Sequence, residues 1–394
     1  MAGLIIAPKA RLFHGHDWVY GTEVRAVYGN PQPGDVVSLK DQRDRFLGSA
    51  MYNPRSQIVA RRFSRRKQDL DADFFARRIS RAVELRSEWL PGETLTRLVW
   101  SESDGLPGLV VDRYGDALVV QTLTLAMHRR VEVICDVLME LLHPTCIWVR
   151  NDSPMLVAEG IEPASYVARG EMLAPYVAVG RGTRFRVDLT VGQKTGLYLD
   201  QMGNYQEVAR LAKGRRVLDC FCNQGGFALA CAKAGAAAVT AVDISEAAVD
   251  AVSANAELNG VHIEAIAANV FDFLKEESEA VRAGADPRWD LIILDPPSFT
   301  RNRKSLSGAM RGYKEIHLRA MQMLPIGGIL STFCCSHHIS TPLFREVIAD
   351  AAVDGHCTLR QIAAHTQSPD HPILLNIPET EYLKGFSFTL VPGR

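Results

Sequence analysis

The chain has 394 residues, of which 47% are hydrophobic and 23% are charged. These proportions are typical of globular proteins and exclude the disordered, collagen-like and coiled-coil classes. The length favours two or three domains, and no run of about 18 apolar residues predicts a membrane-spanning helix. Since the first apolar stretch is also too short for a signal peptide, we expect a cytoplasmic protein without a membrane partner.

Charge is distributed unevenly, although the net formal charge is only −1. Residues 1–67 carry 12 Lys and Arg against 5 Asp and Glu, a net charge of +7, which leaves −8 for the rest of the chain. A polyanionic partner at the amino-terminal end would explain this asymmetry, and a solvated basic surface is the alternative. The eight cysteines are not spaced as in a secreted disulfide scaffold, so we expect reduced thiols.

In chain order, residues 1–67 are predicted to form short strands separated by turns, as in a small β barrel. Apolar residues then recur at helical spacing around Phe74 and Ile79, which predicts a linking helix whose arginines face either RNA or water. Residues 95–190 combine strand-like runs with an amphipathic stretch over 131–142, which indicates a mixed α/β middle domain.

After about residue 205 the pattern alternates between strands and helices. Short buried apolar runs occupy 216–220, 238–242, 290–294 and 328–333. This alternation is typical of a parallel sheet covered by helices. The predicted fold class is therefore α/β, preceded by the small β barrel and the mixed middle domain.

The segment after the first of these runs is the most informative one. A buried strand ends near Asp219, and a turn containing Phe221 and Gly225 opens a helix. In doubly wound sheets ligands bind at the carboxyl ends of the strands, where a glycine permits close approach of the backbone. Asp243 follows 24 residues later at the end of the next strand, and an acid at that spacing can accept both hydroxyls of a ribose.

The type of nucleoside ligand follows partly from missing motifs. The sequence has neither G-x-G-x-x-G nor G-K-[ST], which argues against dinucleotides and nucleoside triphosphates. S-adenosylmethionine, with a ribose and a positive charge but no phosphate, fits better. Ile244 beside Asp243, and Asn269 with Val270 after the third strand, are further candidate cofactor contacts. Alternatively, Asp219 and the glycines are ordinary loop residues of an α/β domain.

The next strand ends in Asp295-Pro296-Pro297-Ser298-Phe299. Two prolines cannot continue a strand ladder, so they direct the chain out of the sheet where ligands bind. In methyltransferases an acid or amide before two prolines and an aromatic residue often recognises a planar amine or base. A plain strand-ending turn is the alternative interpretation.

The fifth strand ends at Cys334 and Cys335. A thiol there can act as a nucleophile: addition to C6 of a cytosine would make C5 reactive enough to accept a methyl group, after which a base removes the C5 proton and the thiol leaves. The alternative is a cysteine buried as a small hydrophobic residue. A metal site with His337 and His338 is disfavoured because adjacent side chains diverge, so no metal is predicted.

Several segments together resemble the RlmI family of large-subunit ribosomal RNA cytosine-C5 methyltransferases, over nearly the full length. The resemblance implies a PUA domain over 1–72, a linking helix and middle domain over 73–190, and a class I, Rossmann-like methyltransferase domain over 191–394. The matching segments are 15–20, 52–54, 102–109, 111–114, 192–201, 371–372, 378–379 and 382–386.

The same resemblance assigns roles to individual residues. Cys335 takes the place of the nucleophile, since the family has a serine where Cys334 stands. Asp295, from its position before the two prolines, is predicted to hold the N3 and N4 edge of the cytosine and to contact the cofactor. Lys194 and Tyr198 lie in the segment that folds over the cofactor.

Two departures from the family pattern are visible. Met202 and Tyr205 replace arginines that the family often has after the Asp-Gln pair, and Asn269 stands where an aspartate is common. The amide oxygen of Asn269 can still accept a hydrogen bond from adenine.

The expected activity is S-adenosylmethionine-dependent C5 methylation of a cytosine in large-subunit rRNA, either naked or in an assembly intermediate. The target cytosine would be unpaired or flipped out of its stack. Two rivals remain: methylation of a guanine nitrogen in rRNA, and a non-catalytic RNA-binding protein of ribosome assembly. A homodimer is a further expectation.

Overall fold

The computed structural model describes residues 2–153, 156–171, 176–189, 196–300 and 305–392. Two compact units divide the chain. The first comprises Met1–Val179, Val187–Leu199 and Pro369–Thr380, and the second comprises Gly180–Arg186, Asp200–Ser368 and Glu381–Arg394. Within the described residues, no helix has the length and apolar character needed to cross a membrane.

The first unit begins with a six-stranded sheet. Its strands are β1 (Gly3–Ile6), β2 (Trp18–Tyr20), β3 (Val24–Tyr28), β4 (Val36–Lys40), β5 (Phe46–Tyr52) and β6 (Ile58–Ser64). They lie in the order β2-β6-β5-β4-β1-β3, and only β1 and β4 pair in parallel. Leu4, Ile6, Val37 and Leu39 from the central strands are buried in its core.

A long helix and a second sheet complete this unit. The helix, α1 (Ala72–Trp89), is capped by Asp71, whose carboxylate accepts a hydrogen bond from Phe74 N, and it buries Phe74, Phe75 and Ile79. The elements that follow are β7 (Leu95–Trp100), β8 (Leu109–Tyr114), β9 (Ala117–Thr122), α2 (Leu125–His128), α3 (Val131–Leu142), β10 (Cys146–Asn151), α4 (Leu156–Glu159) and β11 (Ala164–Gly170). The strands form a sheet in the order β11-β10-β9-β8-β7.

The segment 369–380 belongs to this first unit although it lies near the carboxyl end of the chain. Asp370 Oδ2 accepts hydrogen bonds from Thr96 Oγ1 at 3.0 Å and Arg97 N at 2.9 Å. Arg86 donates to the carbonyl oxygen of Asp370 at 2.8 Å. Because all four residues are buried, these bonds replace hydration that the groups lose on folding.

The second unit is built on a seven-stranded sheet. In chain order it follows a two-stranded sheet of β12 (Tyr176–Gly180) and β13 (Thr183–Val187), of which only residues 180 and 183–186 belong to the second unit. The strands of the large sheet are β14 (Arg216–Cys220), β15 (Ala238–Asp243), β16 (Glu264–Ala267), β17 (Leu291–Leu294), β18 (Ile329–Cys334), β19 (Thr358–Thr366) and β20 (Lys384–Val391). The helices are α5 (Met202–Ala209), α6 (Gly226–Lys233), α7 (Glu246–Asn259), α8 (Val270–Arg282), α9 (Leu306–Met323) and α10 (Thr341–Asp354).

The strand order of this sheet is β16-β15-β14-β17-β18-β20-β19. The first five strands are parallel, whereas β20 is antiparallel to both of its neighbours. The chain moves outward from β14 to β16 and then returns to β17 on the other side. A crevice therefore opens at the carboxyl ends of β14 and β17, the position where such sheets bind ligands. The predicted α/β class is confirmed.

Candidate active site

Asp219 lies in β14 at the base of this crevice and is 1% exposed. Its Oδ2 accepts a hydrogen bond from Ala228 N, in the first turn of α6, at 2.9 Å. Its Oδ1 is buried and has no hydrogen-bond partner among the described residues. Burial raises the pKa of Asp219 well above the usual carboxyl range, and the nearby carboxylates of Asp295 and Asp243 raise it further. The site thus holds an incompletely satisfied buried acid.

The turn after β14 has an unusual backbone. Phe221 and Asn223 adopt left-handed φ angles of 61° and 47°, and Gly225 caps α6 with φ 83°. A Cβ atom on Gly226 would lie 2.2 Å from the Tyr205 ring, so only glycine fits there. Non-glycine residues adopt such φ angles at a cost, which is common where a loop is shaped for a ligand.

Asp243 is the last residue of β15 and caps the neighbouring turns. Its Oδ2 accepts from Asn223 N at 3.0 Å, and its Oδ1 accepts from Ser245 N at 3.0 Å. These bonds fix the carboxylate at the rim of the crevice, where it stays partly exposed. Ile244, the next residue, is 71% exposed, so its side chain offers an apolar surface to solvent or to a ligand.

Asn269 and Val270 form the start of α8. Asn269 is exposed, and its side-chain oxygen accepts a hydrogen bond from Phe271 N at 2.9 Å, as is usual for a helix cap. An adenine amino group would have to donate to the second lone pair of the Asn269 side-chain oxygen. Val270 is 2% exposed and belongs to the core.

Asp295 follows β17 and is held by a chain of amides. Its Oδ2 accepts from Gln201 Nε2 at 3.0 Å, and Gln201 Oε1 accepts from Asn204 Nδ2 at 2.6 Å. Asn204 Nδ2 also donates to the carbonyl oxygen of Thr366 at 2.9 Å. Because that carbonyl can only accept, the orientation of both amides is fixed, and Gln201 presents its donor to Asp295.

The two adjacent cysteines differ in environment. Cys334 ends β18 and is fully buried, whereas Cys335 lies just beyond the strand and is partly exposed. Burial raises the pKa of Tyr313, and both thiols and the Asp295 carboxylate act on it in the same direction. Cys335 and Asp295 therefore share one neighbourhood, at the ends of the paired strands β18 and β17.

Several of the predicted site residues lie at the carboxyl ends of neighbouring strands, and the roles of all of them stay predictions. Asp219, Asp243 and Asp295 are close enough for the last two to act on the pKa of the first. Tyr198 is partly buried and falls in the first unit, and Lys194 lies outside the described residues. The sequence reasoning missed Gln201 as a site residue; its only signal was the Asp-Gln pair within the matching segment 192–201.

Comparison with known proteins identifies the family. A model of S-adenosylmethionine-dependent methyltransferases matches residues 116–372, and a PUA-like domain model matches residues 7–65. Ribosomal RNA large subunit methyltransferase I of Shewanella denitrificans is 40% identical over 379 residues, 94% of each chain. The Erwinia tasmaniensis protein of that name is 38% identical over 400 residues, 98% of this chain and 99% of its own. The chain belongs to this methyltransferase family.

A solved structure shows the same fold. The crystal structure of SMU.776 complexed with SAH superposes with a TM-score of 0.84 at 21% identity, covering 99% of this chain and 100% of that one. The predicted class I methyltransferase domain, the PUA-like domain and the resemblance to the family are confirmed. S-adenosylmethionine is the cofactor of this methyltransferase.

The crevice suits that cofactor chemically. S-adenosylmethionine carries a sulfonium and an ammonium, so the neighbouring carboxylates of Asp243 and Asp295 provide complementary charge. The buried Oδ1 of Asp219 offers an unused acceptor. These features of the chain itself favour a cationic nucleoside over a phosphorylated one.

Proposed function

We propose that the protein methylates C5 of a cytosine in large-subunit rRNA through a covalent adduct with Cys335. The observation that carries the proposal is the partly exposed thiol of Cys335 at the end of β18, beside Asp295 at the end of the paired strand β17. The rRNA substrate is supported by the name of the relatives, which describes them as ribosomal RNA large subunit methyltransferases.

The cofactor would be held by the residues around β14 and β15. In this proposal Asp243 accepts the ribose hydroxyls, and Asp219 accepts from the polar end of the methionine group. The further contacts are Lys194, Tyr198, Phe221, Gly225, Ile244, Asn269, Val270 and Asp295. When bound, S-adenosylmethionine supplies an electrophilic methyl group on a sulfonium.

Cys335 supplies the nucleophile for the pyrimidine. Its thiolate adds to C6 of the cytosine, and the electron pair of the C5–C6 double bond moves toward N3, which takes up a proton. The resulting enamine makes C5 nucleophilic enough to accept a methyl group. A base then removes the C5 proton, the C5–C6 double bond re-forms as the Cys335 sulfur leaves, and N3 returns its proton to solvent. The thiolate is regenerated, so the protein is unchanged by the reaction.

In this reaction Asp295 would orient the cytosine base. Since Gln201 donates to Asp295 Oδ2, the carboxylate is an acceptor, and it can also accept from the cytosine N4 amino group and the protonated N3. Uracil has an acceptor in place of the amino group. The carboxylate therefore favours cytosine over uracil.

The amino-terminal domains would bind the RNA. Residues 1–67, which include the PUA-like domain, carry a net charge of +7, and Arg77 and Arg81 of the following helix α1 are exposed. Phosphate contacts from such residues would hold the RNA without reading its sequence. We place the domain limits at 1–72, 73–190 and 191–394.

The proposal is tested by comparing two adjacent substitutions. Cys335→Ala and Cys334→Ser are assayed with radiolabelled cofactor and rRNA that lacks the modification, and the product nucleosides are identified by mass spectrometry. We expect Cys335→Ala to lower C5 methylation at least about 1,000-fold. Cys334→Ser should stay active because the family carries serine there.

Undiminished 5-methylcytosine formation by Cys335→Ala would eliminate the assigned nucleophile. A methylated guanine as the product would replace the proposed reaction with that of the rival enzyme class. Cofactor binding without any turnover on naked rRNA or assembly particles would support the non-catalytic alternative instead.

A further inference from the structure

Lys384 is a buried lysine that the proposed chemistry does not yet use. It begins β20 and is 8% exposed. In the antiparallel pairing of β18 with β20 it lies directly opposite Cys334. The strand pairing therefore delivers a cationic side chain to the end of β18, where Cys335 follows.

The ammonium of Lys384 is anchored to the loop after Cys335. Its Nζ donates to the carbonyl oxygens of Ser336 at 2.7 Å and Ile339 at 2.6 Å. Within the described ranges no carboxylate forms an ion pair with it. A buried charge without a counter-ion is costly, so its retention requires either a structural or an electrostatic benefit.

The titratable groups that act on Lys384 include both thiols. Burial lowers the pKa of Lys384, whereas Cys334, Cys335 and Glu381 raise it. Tyr313 of α9 also lies near both thiols and the Asp295 carboxylate, since all three act on its pKa. Of the groups named here, only Lys384 contributes a positive charge at neutral pH; the negative charge of Asp295 opposes formation of a thiolate.

We propose that Lys384 is a positioning residue whose ammonium stabilises the thiolate of Cys335. It holds the loop through Ser336 and Ile339 and lowers the cost of removing the thiol proton, which passes to solvent. This inference rests on the proposed function, in which Cys335 is the nucleophile. The alternative is that Lys384 only closes the loop through its two hydrogen bonds.

A pH profile of cysteine alkylation separates these two roles without measuring methyl transfer. The full-length protein, without RNA, is treated with iodoacetamide between pH 6 and 10, as an experimental range spanning ordinary thiol titration. Peptide mass spectrometry then follows Cys335 alone. A synthetic peptide covering residues 329–341 serves as the unfolded reference. The wild-type midpoint should lie below that of Cys335 in the peptide.

Lys384→Gln keeps a hydrogen-bond donor for the loop but removes the charge. We expect the Cys335 midpoint to rise by about one pH unit and alkylation at neutral pH to slow by about tenfold. Lys213→Gln is the matched control, because exposed Lys213 precedes β14 at the opposite edge of the parallel strands. It should leave the midpoint unchanged.

Two results would overturn the inference. One is a folded Lys384→Gln protein in which the midpoint of Cys335 alkylation equals that of wild type. Lys384 would then only hold the loop through its two hydrogen bonds. The other is a wild-type midpoint at or above that of the peptide, and this result does not depend on any variant folding. If the midpoints shift as expected but Cys335→Ala still methylates C5, the proposed function fails while the electrostatic role of Lys384 stands.

Discussion

Replacing Gln201 with methionine tests how Asp295 is held. Methionine has a similar length and flexibility but cannot donate a hydrogen bond, so Asp295 Oδ2 loses its partner at 3.0 Å. Asn204 keeps its bond to the carbonyl oxygen of Thr366. The substitution therefore removes two hydrogen bonds, the one that supports Asp295 and the one that Gln201 Oε1 accepts from Asn204 Nδ2.

The size of the effect follows from the type of bond. A hydrogen bond to a charged group contributes about 1.5–3 kcal/mol, which corresponds to a fall in kcat of about 10- to 150-fold if the bond is needed in the transition state. The affinity for S-adenosylmethionine should change much less, because the other proposed cofactor contacts are untouched. Single-turnover methylation with rRNA and calorimetric cofactor binding measure the two quantities separately.

Gln206→Met is the matched control. Gln206 lies on α5, is partly buried, and its side chain has no hydrogen bond within the described part of the chain. Its replacement should leave kcat within about twofold, as is usual for substitutions away from a network. Wild-type kcat in a folded Gln201→Met protein would refute the positioning role of Gln201.

Two further predictions concern stability in the absence of cofactor. The raised pKa of Asp219 means that the folded state binds a proton more tightly than the unfolded state, so this group stabilises the fold at low pH and less as pH rises above about 4. We therefore measure the free energy of unfolding in urea for wild type and Asp219→Asn, and expect the value of wild type minus that of the variant to fall as pH rises. A value that increases with pH would contradict this. Gly226→Ala should destabilise the protein by about 1–3 kcal/mol because its Cβ would meet the Tyr205 ring at 2.2 Å. Gly308→Ala, with open space around it, should be neutral or stabilising in the same thermal melts, and equal melting temperatures for the two variants would contradict the packing argument.

Much of the catalytic sheet was predictable because its signals are local. The run over 216–220 forms β14 with the same limits, and the stretch over 131–142 forms α3 with the same limits. A buried parallel strand needs an uninterrupted apolar run, and an amphipathic helix needs apolar residues at helical spacing. Asp243 and Asp295 could be placed at strand ends for the same reason.

The supports of the site could not be predicted, since they depend on contacts between distant parts of the chain. Gln201 meets Asp295 across 94 positions, and Lys384 reaches Ser336 across 48. The segment 369–380 lies between β19 and β20 in the sequence but belongs to the first unit, where Asp370 accepts a hydrogen bond from Thr96. No local periodicity encodes such pairings. The homodimer stays a prediction.

The covalent step can be observed directly with RNA that contains 5-fluorocytosine. Fluorine replaces the C5 hydrogen, so the base has no proton to remove, and the sulfur cannot leave after methyl transfer. With S-adenosylmethionine present, the account predicts a protein–RNA complex that survives denaturation, with the nucleotide attached to Cys335 by peptide mass spectrometry. A complex through another residue, or no complex from protein that methylates ordinary rRNA, would contradict it.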